Sequence, residues 1–316
     1  MGVPGMTTNL CVNGEVNIAY SSPEEFGRIV LDWLLTGVQV LAPDIGEELL
    51  AGNPVAGESP ADADYDHPLR ARPSIGGNVW IDYGEGGKKA YTKPYSRTSL
   101  NRLRKLSAEL SGATVSLGRK TDGRVTQCVL KADRAGDSTG FARLFVNIPA
   151  DTCSEASPEI AYMRSFAAAN VAVFGHVSPV GDSVLGRTEL EFALGRRMED
   201  SLTELDRYLR GYSWVTVVPE VLAARLGGPH ALRESGAFGG VDVLAGGSAW
   251  LLATPRWSEY GQVQIDRVFE VLAPVLPPGM PESRMVLAPG GPGFPARTRP
   301  YLVSARDAAE FYAPEK

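Results

Sequence analysis

Three strand-like runs, Ala113–Lys120, Arg124–Ala132 and Phe141–Ile148, follow one another with short connections, the first of which contains Asp122-Gly123. Parallel neighbours need a crossover of about a dozen residues or more, so runs this close together pair antiparallel. Asp-Gly supplies the left-handed backbone that a tight hairpin requires. Just upstream, Val79, Ile81 and Tyr83 alternate as a strand. Ser96 or Thr98 then caps a helix whose Leu100, Leu103, Leu106 and Leu110 form an apolar stripe, with Arg102, Arg104 and Lys105 on its polar side. This block is α+β.

The pattern on either side extends that class. Val16, Ile18 and Tyr20 alternate, Ser22-Pro23-Glu24-Glu25 is a helix start, and Phe26, Ile29, Val30, Trp33 and Leu34 share one helical face. From Gly52 to Pro73 the chain is rich in Pro, Gly, Asp and Ala without a period, and reads as a surface loop. Beyond residue 150 the spacing predicts a helix over Pro158–Ala168, a strand over Asn170–Val177 and helices over Arg187–Met198 and Leu202–Arg210. An extended stretch over Tyr212–Val217 follows, then a short helix opened by Pro219 and closed by Gly227-Gly228 in a left-handed turn. Val241–Leu244 and Ala249–Thr254 flank a hairpin turn, and Gln262–Leu276 is a helix with Ile265, Val268, Phe269 and Leu272 inward. Pro277–Pro300 holds seven prolines and four glycines and is expected to lack regular structure, with a last helix capped by Ser304 and docked by Phe311 or Tyr312. The expected fold is α+β: antiparallel sheets flanked by helices, two packed α/β subdomains in one compact body. Its division is a strand–helix extension over 1–73, subdomains over 74–150 and 151–276, and a tail over 277–316.

Composition narrows the class. With 316 residues, 44% hydrophobic and 22% charged, the chain matches ordinary globular proteins rather than disordered or fibrous ones. No apolar run approaches the roughly 18–20 residues a membrane span needs, and the first twenty residues lack a basic start and an apolar core, so a cytoplasmic protein is expected. Cys11, Cys128 and Cys153 are far apart and fit reduced, buried thiols. Charge is unevenly spread. Between Asp44 and Leu69 lie seven acids and no Lys or Arg, so the rest of a chain of net charge −6 carries +1. Such totals point away from direct nucleic-acid binding, which rests on Lys and Arg neutralising phosphates. Asp62, Asp64 and Asp66 invite a cationic partner, with a solvated loop as the plainer reading.

Familiar catalytic patterns are missing from the sequence. His67, His176 and His230 are too far apart for a zinc-hydrolase helix, and the turn at Gly84–Lys89 has the wrong glycine spacing for a phosphate loop. Gly246-Gly247-Ser248 lacks the last glycine of a nucleophile elbow. No metal or cofactor is expected. Glu189, Glu191, Asp206 and His176 are the best remaining acid/base set, but Glu189 and Glu191 are two apart and do not share a helical face. Arg256, Trp257, Glu259 and Tyr260 combine planar groups with both charge signs after an apolar strand, the residue types that dominate interface hot spots. The plainer reading is that Trp257 covers a sheet edge.

Glu191-Phe192-Ala193-Leu194-Gly195-Arg196-Arg197, then Tyr212-Ser213-Trp214-Val215-Thr216-Val217-Val218, then Leu222-Ala223-Ala224-Arg225-Leu226-Gly227-Gly228, and then Gly246-Gly247 with an apolar strand and Pro255, form a pattern. It resembles the family of type VI secretion immunity proteins. The likeness runs from about Val79 to Tyr312 and is strongest over 187–276. It implies an α+β inhibitor that binds a cognate antibacterial toxin, often a nuclease, over its active site, and so a binding protein rather than an enzyme. The alternative is an enzyme or small-molecule-binding protein with a site assembled from distant residues.

Overall fold

The computed structural model describes residues 11–52, 75–84, 87–121, 124–136, 140–149, 153–179, 186–282, 286–287, 298–299 and 303–312. The chain is α+β, and its contacts divide it into two units. The first unit is Asn17–Asn147; the second is Met1–Val16 together with Ile148–Lys316.

Strand β1 (Cys11–Ala19) crosses that division. Helix α1 (Pro23–Leu41) begins where Ser22 accepts a hydrogen bond from the Glu25 backbone N–H at 3.2 Å, as its Ser-Pro-Glu-Glu start predicts. Phe26, Ile29, Val30, Trp33 and Leu34 are all buried, and the helix packs on the sheet of its unit. At Gly27 a Cβ would sit 2.2 Å from the Ser107 carbonyl oxygen, so only glycine permits that approach. Helix α2 (Pro43–Ala51) follows. The sequence reading did not anticipate it; it carries Asp44, Glu47 and Glu48 of the acidic stretch, and Glu48 pairs with Arg119 at 2.6 Å. Asp62, Asp64 and Asp66 lie outside the described residues.

Strands β2 (Ile75–Tyr83) and β3 (Lys89–Pro94) lead to α3 (Arg97–Lys105), capped by Ser96, whose hydroxyl receives the Ser99 N–H at 3.2 Å. Then come β4 (Leu110–Thr121), β5 (Arg124–Arg134) and β6 (Phe141–Pro149). Every expected strand in this block is present. Thr121 pairs with Arg124, so the β4–β5 connection is a two-residue hairpin, while the conformation of residues 122 and 123 lies outside the described residues. The strand order in this unit is β3-β2-β4-β5-β6, antiparallel throughout. Val79, Ile81, Val115, Leu117, Leu130 and Leu144 point to the buried side, which α1 covers from β4 to β5.

The second unit continues with α4 (Pro158–Ala169) and β7 (Ala172–Pro179) as expected. The helix expected over Arg187–Met198 is instead two pieces, α5 (Glu189–Ala193) and α6 (Met198–Thr203). Gly195 sits between them at φ 66°, a conformation that ends a helix. The helix expected over Leu202–Arg210 is a turn in which Arg207 and Tyr208 both bond back to the Glu204 carbonyl. Strand β8 (Val215–Val218) precedes α7 (Glu220–Arg225), opened by Pro219. Gly227 and Gly228 are left-handed, at φ 85° and 78°, but the chain turns at once into a further helix, α8 (Gly228–Glu234). The expected hairpin is β9 (Gly240–Val243) with β10 (Ala249–Leu252), followed by α9 (Gln262–Leu272).

Strand order here is β1-β7-β8-β10-β9, and all residues of β8 and β10 are buried. The Pro-rich stretch does contain regular structure: β11 (Val286–Leu287) pairs antiparallel with β12 (Thr298–Arg299). At the C-terminal end a 3-10 turn over Glu310–Tyr312 replaces the expected α-helix, and Phe311 meets Phe269 edge-on at 5.3 Å. Among the described residues no single helix is long and apolar enough to cross a membrane, and α1 with α2 pass such a test only jointly across a 100° bend.

Trp214 has no exposed surface and donates Nε1–H to the Thr254 carbonyl at 2.7 Å. Replacing it by alanine leaves both a cavity and an orphaned carbonyl, so urea denaturation of Trp214→Ala is expected to show a loss of about 3–5 kcal/mol.

Candidate partner-binding surface

The segment that follows β10 is tied down from several directions. The Thr254 hydroxyl donates to the Arg256 carbonyl at 2.8 Å, and Glu155 N–H donates to the Pro255 carbonyl at 2.9 Å. Trp257 N–H reaches the Cys153 carbonyl at 3.1 Å, and Ser154 and Arg256 form an antiparallel bridge. A one-turn 3-10 segment over Trp257–Glu259 then hands the chain to α9. Trp257 stands edge-on to buried Trp214, centroids 6.1 Å apart at 81°, and lies 6.0 Å from the Tyr260 ring. This geometry is favourable for aromatic pairs and holds the indole in place.

The four expected residues of this segment therefore have different positions. Arg256 and Glu259 are exposed, Trp257 is half-buried, and Tyr260 is buried at 6% exposure. Tyr260 is a support for Trp257 and not itself a contact residue; its hydroxyl is buried without a hydrogen-bond partner among the described residues. Burial holds its pKa well above the ordinary tyrosine value. What the surface offers is a guanidinium, a carboxylate and an indole edge on a rigid aromatic bed.

The residues considered as an acid/base set separate. Asp206 is exposed, Glu189 is half-buried, and neither they nor His176 line the cavities at Asp82–Arg134 and at Ala193–Glu282. Glu191 and His176 instead belong to a buried ionic cluster within the second unit. Thr188 and Glu191 form a reciprocal cap at the start of α5: Glu191 N–H to the threonine hydroxyl at 3.1 Å, Thr188 N–H to the carboxylate at 2.7 Å. The same carboxylate receives Arg210 Nε at 2.9 Å and Nη2 at 3.0 Å. Arg210 also gives Nη1–H to Glu15 on β1 at 2.8 Å and Nη2–H to the Gly186 carbonyl at 2.9 Å.

His176 Nε2 stands 3.6 Å from the other Glu15 oxygen, and Phe174 stacks against both His176 and the Arg210 guanidinium. Burial opposes the charge on Arg210, but the two carboxylates, Glu191 first, outweigh it and raise its pKa above the ordinary arginine value. The sequence held one local sign of this cluster, the Thr-x-x-Glu spacing at 188–191. Among the described residues no group of three or more His, Cys, Asp or Glu side chains is placed to hold a metal ion.

Two predictions follow from burial. Removing the guanidinium in Arg210→Met strands two buried carboxylates, and the expected loss is about 3–5 kcal/mol by urea denaturation; Glu191→Gln, which keeps the shape and one acceptor, is expected to lose less. Cys153 is buried, and that burial, with the Glu159 charge next, pushes its thiol from 9.0 up to about 12. The folded chain thus keeps a proton that the unfolded chain releases above pH 9.0, so this contribution is present in full below that value and is lost as pH rises toward about 12. Cys153→Ala is expected to show a shallower fall in urea midpoint between pH 9.0 and about 11 than the unaltered chain.

No family model matches the chain, and no curated protein matches it. The fold is similar to that of a T6SS protein of Pseudomonas aeruginosa, with a TM-score of 0.51 and 11% identity over 96% of this chain and 81% of that one. That likeness shows a shared fold.

Proposed function

We propose that the chain is an immunity-type binding protein of a type VI secretion system, neutralising a cognate antibacterial toxin by covering its active site. The observation that carries this reading is the surface at Arg256, Trp257 and Glu259. The backbone that carries two opposite charges is held there by hydrogen bonds, and the indole by two aromatic rings. A surface ordered in advance loses little freedom on binding, and Trp and Arg are the residue types that most often anchor an interface. The T6SS assignment of the similar Pseudomonas aeruginosa structure supports the setting. Asp62, Asp64 and Asp66 supply the second element, an acidic segment that steers encounter with a basic cleft such as that of a nuclease. The chain acts in this reading by association and carries out no turnover of its own.

The test is co-expression with the product of the neighbouring gene. Rescue of growth and capture of that product are expected, and failure of both removes the proposal. Trp257→Ala is expected to cost about 2 kcal/mol of affinity, mainly through faster dissociation. Charge reversal at Asp62, Asp64 and Asp66 is expected to slow association and to flatten its salt dependence in stopped-flow measurements.

A further inference from the structure

The first unit's sheet has a second face. Val79 and Ile81 of β2 point into the core, so Asn78, Trp80 and Asp82 point the other way, to the face opposite α1. Cross-strand register places Thr92, Trp80, Thr114, Lys131 and Phe145 in one row from β3 to β6. Trp80 is 46% exposed, and its Nε1–H is held by Asp82 Oδ1 at 2.8 Å. The indole edge is thereby occupied and its orientation fixed; a ligand meets the flat of the ring. An open trough of about 980 Å³ meets the row at Thr114 and Lys131 and is lined also by Asp82, Glu109 and Asp133; Trp80 is not in its lining but is hydrogen-bonded to Asp82, which is.

We propose that this face binds a neutral saccharide, with the Trp80 ring as stacking platform and the trough as the seat of the sugar hydroxyls. The charges of the face decide the class of ligand. Asp133 lies between Lys131 Nζ at 2.8 Å and Arg143, whose Nε and Nη2 donate to it at 2.8 and 2.9 Å. Lys131 and Arg143 also sit over Phe145, at 5.9 and 4.8 Å. Arg134, next along β5, points to the α1 side instead, bound to the Leu110 carbonyl at 2.9 Å and lying over Phe26. Cations already engaged in this way release few counterions for a polyanion such as nucleic acid.

Of the three carboxylates lining the trough, Asp82 and Asp133 are engaged and Glu109 is exposed; a carboxylate has about four acceptor sites, so each retains capacity for hydroxyl donors. Thr92 and Thr114 offer hydroxyls along the row. A ligand suited to this inventory has groups that both donate and accept, no net charge, and an apolar C–H face to lie on the indole. That is the chemistry of a pyranose. The trough is at the upper end of the roughly 300–1,000 Å³ typical of small-ligand sites, whereas a protein partner on this face would find a single exposed aromatic anchor.

The experiment uses the full chain, with chitotetraose, cellotetraose and maltotetraose as soluble probes in titration calorimetry and microcrystalline cellulose as a co-sedimentation probe. Binding of at least one is expected, weakened about tenfold or more in Trp80→Ala and largely kept in Trp80→Phe, which retains an apolar ring. Because Trp80 is exposed, both variants are expected to melt with the unaltered chain. No binding to any of the four probes, or equal binding by Trp80→Ala, overturns the proposal. So does preferential binding of heparin or single-stranded DNA, which would mark an anion site. Toxin capture is measured in parallel: its retention in Trp80→Ala is expected, and its loss there would make this face a protein interface and overturn the saccharide assignment without touching the immunity reading.

Discussion

The Arg210 guanidinium and two buried carboxyl groups meet in the second unit, and three of its segments are positioned by their mutual contacts. The guanidinium has Glu191 on one side, Glu15 on another and a backbone carbonyl on a third. Removing a charge from water costs several kcal/mol unless geometry and hydrogen bonds restore it. Each partner is therefore conditional on the others. Glu15 fixes β1, Glu191 closes the first turn of α5, and Arg210 holds the irregular turn that leads into β8. The cluster gives position to segments that have little regular structure of their own.

The aromatic bed at the end of β10 follows a related logic with apolar groups. Trp214 is buried in the strand region, Trp257 leans on it, and Tyr260 closes the group from the side of α9. Here the sequence revealed the residue types but not their depth. A Tyr three residues after a Trp reads as a shared surface; the 3-10 turn between them puts one ring inward and leaves the other half-exposed.

Local signals were the readable ones. Alternation gave β4 and β5, the Ser22-Pro23 start gave α1, and Pro219 gave α7, because each depends on neighbours within a few residues. The division of residues 187–210 was not readable, since a left-handed glycine at 195 overrides the apolar spacing around it and Arg210 is turned toward the core by partners far away in the chain. Glu15 and Arg210 are 195 positions apart, so no window along the sequence could join them. Trp80 shows the opposite limit: alternation predicts that it faces outward but says nothing about the Asp82 bond that makes its ring a fixed feature.

The ends of the strand order carry a different consequence. β3 is outermost in the first unit and bears Lys89, Lys93 and a terminal Pro94, while β9 is outermost in the second and has its Val241 carbonyl occupied by Arg233. An unpaired strand is a template for a second copy of itself. Lysines repel such a copy, proline denies it a donor, and arginine fills an acceptor it would need. Edge-to-edge pairing of two copies is thereby disfavoured at both ends of the strand order.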